Sequence, residues 1–199
     1  MILISGFIIS GCSPRAKYER RLKNELASRV RYDSLFMGLY FGMPEKEFYV
    51  HCWNLNHKGL IKQGTSNTTA EYELKNELKY PALMNFYPKF SDGKIYEMPV
   101  TFKYKGWAPW NKTLSSKNLQ KKVLKWYEKV YGGGFLKVKH PLHGTAYVKI
   151  NGNRRITIFI QDDLHVWAVL TDMSVKKGWN DSVSAPENIQ NDTTKSLKE

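Results

Sequence analysis

Residues 115–134 read Ser115-Ser-Lys-Asn-Leu-Gln-Lys-Lys-Val-Leu-Lys-Trp-Tyr-Glu-Lys-Val-Tyr-Gly-Gly-Gly134, and this stretch decides the fold class. Leu119, Val123, Trp126, Tyr127 and Val130 recur at the spacing of a single helical face, and Lys117, Lys121, Lys122, Lys125 and Lys129 fill the other positions. Ser115 and Ser116 offer side-chain oxygens to the first unpaired N–H groups. Three consecutive glycines end the helix, since glycine accepts the backbone conformations that stop one. Short strand-like segments follow: Phe135–Lys139, Ala146–Ile150, Ile156–Ile160 and His165–Asp172. Asn151-Gly152 predicts a tight hairpin between the middle pair, and Asp162-Asp163 reads as a turn. A helix feeding strands joined by tight turns predicts an antiparallel meander.

The same plan lies upstream. Gly42-Met43-Pro44-Glu45-Lys46-Glu47 reads as a helix start, because proline suits the first turn and glutamates complement the positive helix end. Phe48, Cys52 and Leu55 follow at helical spacing, and Gly59 is the expected stop. Thr69–Leu74 and Ala82–Tyr87 read as strands. Ser91-Asp92-Gly93 predicts a hairpin into Ile95–Tyr104, where Met98, Val100, Phe102 and Tyr104 alternate. Before this unit come a basic helix over 15–31 and an apolar strand, Leu35–Phe41. The class is therefore α+β, with helices packed on antiparallel β-meanders. Two tandem helix-plus-meander units, 33–112 and 113–178, are expected within one α+β domain over 33–178.

The chain begins Met1-Ile-Leu-Ile-Ser-Gly-Phe-Ile-Ile-Ser-Gly-Cys12. Ile9-Ser10-Gly11-Cys12 resembles a bacterial lipobox, which implies that residues 1–11 are a cleaved lipoprotein signal peptide and that Cys12 carries the lipid. The run is shorter than the roughly 20 apolar residues of a membrane span. Ser13 follows the cysteine, and by resemblance to enterobacterial-type sorting this implies an outer-membrane location facing the periplasm. Residues 12–32 then form a basic juxtamembrane helix, with seven Arg/Lys against two Glu over 13–31. Near an anionic surface each such charge adds roughly 1 kcal/mol of attraction. Residues 179–199 are polar, poor in apolar side chains and expected to be disordered.

A formal charge of +13 favours polyanionic partners: anionic lipid headgroups, acidic glycans or nucleic acid. An exported chain makes nucleic acid the less expected partner. The 42% apolar content suffices for a core without disulfides. If Cys12 is lipidated, Cys52 has no partner; if it is not, a Cys12–Cys52 bridge is conceivable in an oxidising compartment.

No nucleophile motif, phosphate loop or dinucleotide fingerprint occurs. His140-Pro-Leu-His143 has metal-like spacing but no nearby carboxylate, so it reads as a loop with solvated histidines. No metal or cofactor is expected. Trp107 and Trp110 flank Pro109 between Lys105 and Lys112. Aromatics ringed by cations suit sugar stacking, headgroup contact or a protein hot spot. Arg154 and Arg155 beside the hairpin turn complete the candidate binding surface. Asp33-Ser34-Leu35, Asp181-Ser182-Val183 and Asp192-Thr193-Thr194 resemble sites of an envelope O-glycosylation system.

Leu35-Phe-Met-Gly-Leu-Tyr-Phe-Gly-Met-Pro-Glu-Lys-Glu-Phe48 resembles a pattern of small envelope lipoproteins of the SmpA/OmlA (BamE-like) group. The tandem plan is similar to the β-lactamase-inhibitor-protein fold. The resemblance implies binding or scaffolding of other envelope proteins without enzymatic activity. The alternatives are a basic protein that binds nucleic acid or another polyanion, and an envelope hydrolase acting on polysaccharide.

Overall fold

The computed structural model describes residues 14–64 and 68–175. Three α-helices are present among them: α1 (Pro14–Ala27), α2 (Glu45–His57) and α3 (Ser116–Tyr131). Nine strands form one antiparallel sheet: β1 (Lys62–Gln63), β2 (Ala70–Leu74), β3 (Ala82–Phe86), β4 (Lys89–Ser91), β5 (Lys94–Tyr104), β6 (Leu136–His140), β7 (Gly144–Asn151), β8 (Arg154–Ile160) and β9 (Val166–Asp172). Their order is β1-β2-β3-β5-β9-β8-β7-β6, with β4 also paired to β5. The α+β class therefore holds.

The strands of 33–112 occupy one half of the sheet and those of 113–178 the other. They meet where β5 pairs with β9, from Glu97 opposite Thr171 to Phe102 opposite Val166. Alternation along these two strands sets the core. Met98, Val100, Phe102 and Tyr104 from β5 and Val166, Ala168 and Leu170 from β9 are buried in one cluster. Phe48 and Leu55 of α2 and Leu119, Val123 and Tyr127 of α3 belong to the same cluster, so both helices lie on this face. A helix presents one apolar stripe and a strand one apolar face, and stacking them removes both from water.

The other face carries the alternate positions, including Phe159, Trp167, Val169, Arg155 and Thr171. α1 packs across β6 and β7 on this side, where the Tyr18 hydroxyl accepts from Arg155 Nη1 at 3.3 Å. The basic helix thus docks on the sheet through its Tyr18 side. Its C-terminal end is held as well, because Glu25 Oε2 accepts from Gly152 N at 2.8 Å. Gly152 is required there. A Cβ at this position would lie 2.1 Å from the Val30 carbonyl oxygen.

Leu35–Phe41 is not a strand. Met37 and Gly38 have φ of +52° and +80°, which reverses the chain and leaves a lone bridge between Ser34 and Tyr40. Leu35, Leu39 and Phe41 are nonetheless buried, so the apolar run plugs the core as a loop. The β7–β8 turn is displaced by one residue from Asn151-Gly152. Asn151 pairs with Arg154, and Gly152-Asn153 make the turn. Cys12, Asp181 and Asp192 lie outside the described residues.

Candidate functional site

The expected binding surface is dispersed in the structure. Trp110 is 85% exposed at the loop tip, whereas Trp107 packs partly buried against the main core. Lys105 is tied to Glu73 at 2.8 Å, and Lys112 opens a short 3₁₀ turn over Lys112–Leu114.

Arg154 and Arg155 depart further from the surface expectation, being only 7% and 5% exposed. Successive strand residues point to opposite faces, so the two arginines serve different sides of the sheet. Arg154 donates to the Ser34 carbonyl at 2.6 Å. Its guanidinium lies over the Tyr131 and Tyr32 rings, 4.8 and 5.5 Å from their centroids. Burial lowers its pKa, with the Tyr131 and Tyr32 phenols and the Asp33 carboxylate opposing. Arg155 reaches Tyr18 and Thr171, and Thr171 in turn donates to Glu97 at 3.1 Å. Both arginines bind the protein's own parts together.

The histidines also differ from a solvated loop. His140 is buried at the end of β6, and its Nδ1 accepts from the Leu142 and His143 backbone N–H groups at 3.1 Å each. His140 and His143 pack against Phe159, each ring 4.9 Å from its centroid. Burial lowers the His143 pKa. Among the described residues no group of three or more His, Cys, Asp or Glu is placed to hold a metal ion. Asp162 caps its own turn, accepting from the Leu164 and His165 N–H groups at 2.8 and 2.6 Å.

Two surfaces come forward instead, one on each helix of the main face. On α2, Tyr49, Trp53 and His57 follow at four-residue intervals on the side away from Phe48 and Leu55. Trp53 is 66% exposed and stacks on His57, with centroids 5.5 Å apart and planes at 4°. The Tyr49 and Tyr87 hydroxyls are 2.7 Å apart, which raises the Tyr49 pKa. Tyr49, Trp53, Tyr87 and Cys52 line a cleft of about 390 Å³. Burial pushes the Cys52 thiol up to about 11, so it is a protonated and poorly nucleophilic group at neutral pH. The signal in the sequence was Trp53 itself, four residues from both Tyr49 and His57 and opposite the core stripe.

On α3, Lys122, Lys125, Trp126 and Lys129 face the β2–β3 loop. With Asn76, Glu77, Leu78 and Lys79 they line an open cleft of about 610 Å³. Loop 75–81 reaches this place because Leu78 is buried in the core beneath it.

Compared with known proteins, the chain matches no family model, no curated protein and no solved structure. No helix among the described residues is long and apolar enough to cross a membrane.

Proposed function

We propose that this chain is a lipid-anchored binding or scaffolding protein of a bacterial envelope, held at the outer membrane through Cys12 and facing the periplasm. The observation that carries the binding role is the aromatic row on α2. Tyr49, Val50 and Trp53 are exposed on a helix whose other side already fills the core, and the exposed Tyr87, just after β3, meets Tyr49 beside them. Trp and Tyr are the side chains on which protein interfaces most depend, because they remove large rigid surfaces from water at little conformational cost. A row beside a shaped cleft suits a protein partner rather than a solvated face. The anchor rests on the Ile9-Ser10-Gly11-Cys12 resemblance, and the basic charge of α1 favours an anionic headgroup surface nearby.

Two measurements test this. Radioactive palmitate should label the wild type and not Cys12→Ala; an unlabelled wild type would remove the anchor. A photo-crosslinking amino acid at Val50 should give discrete adducts in envelopes, abolished by Trp53→Ala. Equal adducts from the same probe at Lys117 would remove the α2 interface.

A further inference from the structure

The lysines of α3 fall into two sets. Lys117 and Lys121 lie outside the cleft, while Lys122, Lys125 and Lys129 line it together with Lys79. None of these four ammonium groups forms an ion pair among the described residues. This contrasts with Lys62, Lys89 and Lys105, each held by a glutamate at 2.8–3.1 Å. Among the described residues the only carboxylate lining the cleft is Glu77, and its oxygens are already engaged. Oε1 accepts from Tyr72 Oη at 2.6 Å and Oε2 from Asn76 N at 3.1 Å. Burial would raise the Glu77 pKa, but these hydrogen bonds hold it below the ordinary value, so its charge persists. Four cations against one anion leave the cleft at +3. Trp126 supplies an aromatic wall, held edge-on against Phe102 with centroids 6.1 Å apart.

We infer that the cleft between α3 and the β2–β3 loop binds a ligand carrying two phosphoryl groups on a ring-bearing scaffold. The phosphoryl oxygens are taken by Lys79, Lys122, Lys125 and Lys129, and the ring packs on Trp126. Each phosphoryl group brings about −1.5 to −2 charges at neutral pH, so two of them match the surplus. Lysine is a mobile point charge that follows phosphate oxygens without needing a planar fork. The volume lies within the few-hundred to thousand Å³ range of small-ligand sites. A soluble sugar bisphosphate and a bisphosphorylated lipid headgroup share this chemistry. The inference stands apart from the α2 interface and does not depend on it.

Calorimetric titration of the full chain, with fructose bisphosphate, inorganic pyrophosphate, and phosphatidylcholine vesicles containing phosphatidylinositol bisphosphate, tests it. Lys125→Ala and Lys129→Ala should each weaken binding about tenfold, the loss of one charge-assisted contact. Trp126→Phe keeps the contact with Phe102 and should weaken the ring-bearing probes more than pyrophosphate. Lys117→Ala should leave affinity unchanged. Tighter binding of the free bisphosphate assigns a soluble ligand, and tighter binding of the vesicles assigns a headgroup. Three results would overturn the inference: no probe binds, Lys117→Ala weakens binding as much as Lys125→Ala, or single-stranded RNA displaces every probe at lower concentration. Lys125 and Lys129 are exposed, so an unchanged melting temperature separates lost binding from lost folding.

Discussion

α2 and α3 sit on the same face of one sheet, yet they are seated differently. α3 buries Leu119, Gln120, Val123 and Tyr127 over the β5–β9–β8 centre, and Gln120 donates to the Thr145 carbonyl at 3.1 Å. α2 buries only Phe48 and Leu55 fully, with Cys52 partly covered. Their outer sides differ as sharply, aromatic on α2 and cationic on α3. Burial of an inner stripe secures each helix, and this leaves the outer stripe open to any chemistry compatible with water. A helix that keeps aromatic rings outside gives up stabilisation it would gain by turning them inward, and this cost is what the proposed α2 interface would offset.

The largest test of this contrast is in the core. Phe102→Ala should cost near the upper end of about 3–5 kcal/mol in urea unfolding, because Phe102 is wholly buried against Trp126 and Tyr127. Phe48→Ala should cost near the lower end, because its site borders the open α2 cleft and can collapse or admit water. The reverse ranking would break the comparison. Arg154→Ala should come next, at about 2 kcal/mol, by leaving the Ser34 carbonyl without its donor. Arg154→Lys should not restore it, because an ammonium lacks the plane that lies over Tyr32 and Tyr131. Full rescue by lysine would show that charge alone matters there.

A smaller effect is expected with pH. His143 has its pKa lowered from 6.5 by burial, so the unfolded chain takes up a proton before the folded one does. Stability is therefore complete above that pH and declines as pH falls through it. His143→Phe should flatten this part of the curve in denaturant titrations between neutral and mildly acidic pH; an unchanged slope would place the sensitivity elsewhere. The smallest change is expected from Trp53→Ala, within about 0.5 kcal/mol, since the ring is mostly in solvent. A large loss would mean that the α2 row serves the fold and not a partner.

The elements best read from the sequence are those whose pattern repeats. α3 and β5 run long enough for period and alternation to declare themselves: Met98, Val100, Phe102, Tyr104, Leu119, Val123 and Tyr127 are buried, while Trp126 is partly covered and Val130, at the end of the α3 stripe, is exposed. The short apolar run Leu35–Phe41 misleads, because alternation over so few residues cannot distinguish a strand from a looped plug. Gly38 in its middle was the one local sign. The candidate site was less legible. A basic loop with two tryptophans looked like a surface, but Trp107 packs against the core and Trp110 alone projects. The α3 cleft needs the β2–β3 loop, nearly fifty residues earlier in the chain, and nothing in either segment names the other.

By itself the sequence determined the α+β class, the amphipathic helices and the tight turns, because these depend on residues close together in the chain. It determined the surplus of positive charge too. Only the tertiary structure decided where that charge acts. Arg154 and Arg155 are drawn inside to join segments more than a hundred residues apart, and α1 is laid on the sheet through Tyr18 and Glu25. A charge becomes structural or available according to which carboxylate, carbonyl or ring folding brings beside it, and no local pattern carries that information.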